Sequence, residues 1–169
     1  MKNKVRILGI DPGLASVGYG ILDREEDRES TVDWGCIHTD KSTAFAFRIK
    51  EIYENINALI TKYRPDIIAV EEIFFSKNAK TAIQVGHTRG VIILAAINNG
   101  IEVREYTPLQ VKQCVVGYGQ ADKRQVQEML KRLLNLSEIP KPDDAADGLA
   151  IAFCQSKSMK LTEVLENTL

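Results

Sequence analysis

The chain has 169 residues, of which 44% are hydrophobic and 27% charged, with 11 Gly and 5 Pro. That composition suits one globular domain and excludes fibrous, low-complexity and disordered classes. Lys and Arg total 22 against 23 Asp and Glu, a net charge of -1, so bulk charge selects no partner, although residues 74–135 are basic between two acidic flanks.

Val5 to Ile10 is a short apolar run ended by Asp11-Pro12-Gly13, where proline and glycine force a turn. Ser16 to Leu22 reads as a second strand, and a charged turn leads to a third around Thr31 to Thr39. Short connections make these three an antiparallel meander. The period then changes. Phe45, Ile49, Ile52, Tyr53, Ile56, Leu59 and Ile60 recur at helical spacing until Tyr63-Arg64-Pro65 stops them. Asp66 to Glu71 follows as a buried strand, Ala79 to Ile97 as a long helix ended by Asn98-Asn99-Gly100, and Ile101 to Tyr106 as a short strand. Pro108 opens a helix through about Cys114. Asp122 with Gln125 forms a capping box for a helix to about Leu134, and a last helix runs from near Pro142 to about Lys157. The order βββ-α-β-α-β-α-α-α implies one mixed sheet with parallel additions after the meander, covered by helices. Residues 1–158 form the domain and residues 159–169 a C-terminal tail.

The three cysteines, Cys36, Cys114 and Cys154, are widely separated, and His38 and His87 are the only histidines. Zinc spacing is absent, and a reducing, cytoplasmic compartment is expected. The N-terminal apolar run is cut by Asp11, unlike a signal peptide. The longest apolar run, Val91 to Ile97, is too short to cross a membrane.

Acidic residues stand at apolar positions, where a carboxylate is expensive unless it is used. Asp11 ends the first strand, and Glu71 and Glu72 end the fourth. Asp144 and Asp147, three apart on an alanine-rich helix, share a face. Taken singly, these are a turn residue, a strand end and helix N-terminal acids. On abutting elements of one sheet they form a cluster. Carboxylates about 4 Å apart repel by about 4 kcal/mol at an effective dielectric near 20, a cost that divalent cations relieve. An all-oxygen donor set suits Mg²⁺ or Mn²⁺.

Gly9-Ile10-Asp11-Pro12-Gly13, Ala69-Val70-Glu71, Phe74, Val111-Lys112-Gln113, Val115-Val116-Gly117-Tyr118-Gly119, Lys123 and Asp144-Ala145-Ala146-Asp147-Gly148-Leu149-Ala150 resemble the signature blocks of the bacterial RuvC-type Holliday-junction resolvases. The likeness runs in order from about residue 5 to 155. It implies a ribonuclease-H-like α/β fold, with a mixed five-stranded sheet flanked by helices. It also implies a homodimer, paired Mg²⁺-dependent nicking of four-way junction DNA with two ions per site, and the RuvA-RuvB branch-migration complex as partner. Carried over by position, Asp11, Glu71, Asp144 and Asp147 are the metal-binding catalytic acids, with Asp143 beside Asp144 an open alternative. The resemblance also puts Lys112 and Lys123 near the scissile phosphates. Candidate DNA contacts are Phe74, Phe75, Lys77, Lys80, Arg89, Lys112, Tyr118 and Lys123. Phe74 would stack on or wedge between bases, although core packing explains it equally. Ala82, Gly86 and Gly90, four apart, suit either tight packing on the sheet or, by the resemblance, a helix pair across the dimer two-fold.

Two other readings compete. Gly-Ile-Asp before a glycine turn also opens sugar-kinase and chaperone-like ATPase folds, but these need two such lobes, and no second Asp-x-Gly hairpin follows. A non-catalytic junction-binding module would not need all four acids.

Overall fold

A computed structural model describes residues 4–26, 28–73 and 79–166, with side chains to residue 162. Three strands come first: β1 (Lys4–Asp11), β2 (Ser16–Glu25) and β3 (Arg28–His38). They are followed by α1 (Phe45–Tyr63), β4 (Ile67–Glu71), α2 (Ala79–Asn98) and β5 (Glu102–Tyr106). Three helices complete the chain: α3 (Pro108–Val116), α4 (Lys123–Leu133) and α5 (Asp143–Glu166). The sheet order is β3-β2-β1-β4-β5, antiparallel within the meander and parallel from β1 through β4 to β5.

The strand period of two divides the side chains between two cores. Leu8, Ile10, Val17, Ile21, Ile68 and Val70 pack beneath α1 and α2. On the opposite face Ile7, Leu22 and Ala69 meet Leu149, Ala152 and Phe153 of α5, with Val111, Val126 and Leu130 from α3 and α4. Each fully buried leucine or isoleucine contributes about 1.5–3 kcal/mol over its exposed state. Local signals place the helix ends. Arg64 terminates α1 in the left-handed region at φ 49°. α3 starts on a reciprocal Thr107–Gln110 capping box, and α4 on the expected one between Asp122 and Gln125.

The sheet face under α5 has almost no side chains in its central rows. Gly9 pairs with Gly20 on one side and Ala69 on the other, and Asp11 pairs with Gly18. A Cβ at Gly18 would sit 1.8 Å from the Asp144 carbonyl oxygen, and one at Gly9 2.2 Å from that of Gly148. Backbone packs on backbone here, which lets the first turns of α5 lie against the ends of β1 and β2.

Two elements run further than their sequence pattern suggests. β3 begins at Arg28. α5 continues past Lys157 to Glu166, so most of the expected tail is helix. No glycine or proline interrupts residues 157–166, Met159 packs against the core, and the Thr162 hydroxyl donates to the Ser158 carbonyl at 3.1 Å.

Gly18→Ala forces α5 away from β2. We expect a loss of about 1–3 kcal/mol, as for other overpacked sites, read as a lower urea midpoint at unchanged denaturant slope.

Candidate active site

The parity of β1 that sends Leu8 and Ile10 under α1 and α2 sends Ile7, Gly9 and Asp11 toward α5. Parity in β4 does the same: Ile68 and Val70 face one core and Ala69 the other. Glu71 is therefore the residue facing α5, and it lines a cleft of about 260 Å³ with Asp147, Lys112 and Lys123. Glu72 has left the strand, its amide donating to the Tyr106 carbonyl at 2.8 Å. The small Ala69, in register with Gly9, shares this face with Glu71.

Carboxylate oxygens of Asp11, Asp144 and Asp147 lie within 4.8 Å of one another, all three residues being half-buried. Glu71 stands beside this trio and feels the charges of Asp11 and Asp147. Burial, reinforced by Asp147 and Asp144, pushes the Asp11 carboxyl up to about 7, with Lys123 opposing. Burial, then Asp11 and Asp147, pushes Glu71 up to about 8 against the pull of Lys112 and Lys123. Asp147 is raised too, mainly by burial, although Lys123 donates to it at 2.9 Å. Burial works against the Lys123 cation, but Asp147 and then Asp143 and Asp144 outweigh it and hold the ammonium above its ordinary range. The positive end of the α5 helix dipole adds to this partial compensation.

Asp143 belongs to a different neighbourhood. Its side chain is two-thirds exposed, 3.7 Å from the Lys123 ammonium, and accepts from the Gln127 amide at 3.1 Å. Gln127 was missed by sequence reasoning; its position beside Val126 on the buried face of an amphipathic helix was the available signal.

The other expected residues are scattered. Lys80 and Tyr118 are exposed. Arg89 is ion-paired with Glu105 of β5. Phe74, Phe75 and Lys77 lie outside the described residues. The small residues of α2 do not share one environment. Ala82 is buried in the chain's own core, a Cβ at Gly86 would touch Ile73 at 3.4 Å, and one at Gly90 would meet nothing within 4 Å. The outward face of α2 instead carries Ile83, His87, Gly90, Leu94 and Ile97, spaced alternately four and three apart. Ile83 and Ile97 are each about 60% exposed, and Phe45 sets its ring edge-on to His87.

A crowded set of half-buried carboxylates, all oxygen donors with two lysines alongside, can hold divalent cations and present a phosphodiester to them. A family model described as crossover junction endodeoxyribonuclease RuvC matches residues 7–155. The protein of that name from Caldanaerobacter subterraneus subsp. tengcongensis is 53% identical over 161 residues, covering 95% of this chain and 98% of the relative. Its counterpart from Alkaliphilus oremlandii is 54% identical over 160 residues, with 95% and 98% covered. Among solved structures, Thermus thermophilus RuvC in complex with Holliday junction substrate matches at TM-score 0.88 and 31% identity, covering 94% of this chain and 96% of that one. The yeast mitochondrial Holliday junction resolvase Ydc2, 15% identical at TM-score 0.73 over 97% of this chain and 82% of its own, shares the fold. With the family model spanning most of the chain, and relatives above half identity along nearly all of it, this chain belongs to the RuvC family of crossover junction endodeoxyribonucleases.

Proposed function

We propose that this chain is a structure-selective DNA endonuclease that resolves four-way Holliday junctions in recombination and repair. It does so by Mg²⁺-dependent hydrolysis in two opposing strands. The observation that carries this reading is the meeting of Asp11, Asp144, Asp147 and Glu71 with Lys112 and Lys123 at one end of the sheet in a member of this family. Asp11, Glu71, Asp144 and Asp147 are the ligands, and two ions, Mg²⁺ or Mn²⁺, supply the activated water and the neutralised leaving oxygen when bound. Asp11 lies between the two halves of the site, raised by Asp147 and Asp144 and itself raising Glu71. Lys112 and Lys123 hold the scissile phosphate against the carboxylates, and Lys123 keeps Asp147 oriented through their contact at 2.9 Å. Tyr118, Lys80 and the segment carrying Phe74, Phe75 and Lys77 belong to the wider DNA surface.

A junction offers two equivalent strands, and a two-fold homodimer matches that symmetry. The apolar outward stripe of α2, with the exposed Phe45 beside it, is the surface we assign to the second copy. Its alternating four-and-three spacing is that of a helix seam. Of the small residues on α2, Gly90 belongs to this seam, whereas Ala82 and Gly86 serve the inner face. A cytoplasmic location fits the three free thiols. No helix among the described residues is long and apolar enough to cross a membrane. A RuvA-RuvB type branch-migration complex is the partner this reading implies.

Asp11→Asn keeps the shape of the site and removes the shared charge. Cleavage of a synthetic junction in Mg²⁺ should fall by at least about a thousandfold, the loss of more than 4 kcal/mol of transition-state stabilisation, while junction binding by gel shift persists. Near wild-type cutting would refute the assignment.

The raised carboxylates also make a signed pH prediction. In the metal-free protein the folded state holds protons on Asp11 and Glu71 more tightly than the unfolded chain does. Stability therefore falls as pH rises from about 4 through about 8. Metal-free Asp11→Asn should melt about 5 °C above wild type at pH 8, with the gap closing toward pH 5. A wild-type Tm independent of pH across this window would contradict the desolvated cluster.

For the interface, Leu94→Glu places a charge at a position already half exposed in the single chain. Sedimentation should show a folded monomer, and a supercoiled cruciform plasmid should be nicked and not linearised. A dimeric variant giving linear product would move the interface elsewhere.

A further inference from the structure

Lys123 is the first residue of α4, where the positive end of the helix dipole disfavours a cation. Acidic groups hold it there. Its ammonium donates to Asp147 Oδ2 at 2.9 Å and stands 3.7 Å from Asp143 Oδ2. The two acceptors differ in kind. Asp147 belongs to the trio whose oxygens lie within 4.8 Å of one another, and its side chain is 31% exposed. Asp143 lies outside that trio, with a side chain 66% exposed.

An exposed carboxylate ordinarily moves among rotamers, but this one is anchored. Gln127 follows Lys123 by four residues, on the same face of α4, and is only 9% exposed. Its amide donates to Asp143 Oδ1 at 3.1 Å. A buried amide keeps such an acceptor because an unmade hydrogen bond is expensive there. The result is a chain of contacts from Gln127 through Asp143 and Lys123 to Asp147, joining the start of α4 to the start of α5. The Asp122–Gln125 capping box fixes the α4 end of it. With Oδ1 taken by Gln127 and Oδ2 toward Lys123, Asp143 presents neither oxygen to the trio.

We propose that Asp143 is a positioning residue for the cleavage reaction: anchored by Gln127, it holds Lys123 beside the scissile phosphate once Asp147 has turned to the cations. The inference rests on the roles proposed above for Lys123 and Asp147, and deepens them. Its physical basis is a competition for one ammonium. Without cations Asp147 wins, at 2.9 Å against 3.7 Å. A carboxylate shared with divalent cations attracts an ammonium less, and the cations themselves repel it. Lys123 must then leave Asp147. Its flexible four-carbon stem would let a free ammonium wander into solvent. Asp143 shortens that excursion. The ammonium already lies near both acceptors, so the exchange needs only a small rotation at the end of the side chain. Lys123 stays at the cleft that it lines with Glu71 and Lys112. An exposed ion pair contributes little to the stability of a fold, so the loss of Asp143 is felt in the rate and not in the melting temperature.

The test separates position from coordination and from stability. Single-turnover cleavage of a synthetic junction, at saturating Mg²⁺ and protein, should fall about tenfold in Asp143→Ala, short of the roughly hundredfold that a full ångström of misplacement costs. Junction affinity by gel shift, the Tm and the Mg²⁺ concentration for half-maximal rate should stay near wild-type values. Asp143→Glu, which restores the charge on a longer arm, should recover most of the rate. In the Lys123→Ala background, Asp143→Ala should cost nothing further. A readout without DNA follows Lys123 itself: acylation of lysines by an activated ester in saturating Mg²⁺, timed by peptide mass. Lys123 should react several-fold faster in Asp143→Ala, and also in Gln127→Ala, which changes no charge, with Lys112 as the internal reference. A Mg²⁺ midpoint raised as far as by Asp144→Asn would make Asp143 a ligand and overturn the proposal. So would a rate loss that persists without Lys123, or an unchanged acylation rate at Lys123. A wild-type chain that cuts no junction would sink the junction-cleaving reading, whereas the acylation rates still decide whether Asp143 holds Lys123.

Discussion

Everything at the acidic end of this molecule depends on how closely α5 lies on the sheet. Gly18, Gly20, Gly9 and Ala69 leave the sheet face bare, and the helix answers with Ala145, Ala146, Gly148 and Ala152. The contact at Gly18 admits no Cβ, since its position would coincide with the Asp144 carbonyl. That contact, one strand away from Asp11, brings Asp144 and Asp147 into the company of a strand-end carboxylate. A helix packed at ordinary distance, about 10 Å from the sheet, would leave the charges too far apart to share cations. The alanines and glycines of the two motifs are thus the two halves of one interface. The acids are what that interface positions.

The same closeness creates a cost that the fold meets only in part. Burial first, and then the charges of neighbouring acids, raise the proton affinity of Asp11, Glu71 and Asp147. Lys123 offsets some of this at Asp147, and the helix dipole at the α5 N-terminus offsets a little more. The remainder is stored repulsion, discharged by binding cations. Core packing on both faces of the sheet holds the arrangement together meanwhile. Stability and cation affinity are therefore set against each other at the same residues.

The sequence was most informative where one local rule governs. Apolar periodicity located α1, Asn98-Asn99-Gly100 ended α2, Pro108 and the Asp122–Gln125 capping box placed the starts of α3 and α4, and Asp11-Pro12-Gly13 ended β1. It was least informative where the outcome depends on a neighbour. Glu71 and Glu72 look alike in an apolar strand, and Ala69 becomes a marker only once α5 is known to lie over it. The end of α5 was hidden because Ser156 to Lys160 shows no apolar period; Met159 holds that stretch by packing on the core. The stripe of Ala82, Gly86 and Gly90 repeats every four residues, which drifts around a helix, so its members face the core, Ile73 and solvent in turn. The seam at alternating four and three keeps one face and was masked by its own glycine and histidine.

α2 joins the two ends of the functional argument. Its inner face touches the segment that carries the fourth carboxylate: Ala82, Thr81 and Val85 border one cavity with Glu71, Glu72 and Ile73. Its outer face bears the apolar seam. A second copy docked there is separated from this active site by one helix and the end of β4, both of which pack on the rigid core. The distance between two sites in such a dimer would then be fixed by helix diameters and not by flexible linkers. Paired incision needs this, since two cuts must fall at related positions on strands held by one junction. A seam on α1 or α4 would also give a dimer, but with a more indirect path between interface and carboxylates. In the proposed dimer the apolar face on α2 would answer the same constraint that places the strand-end carboxylates. The geometry of cutting begins at the sheet and is carried outward by the shortest route.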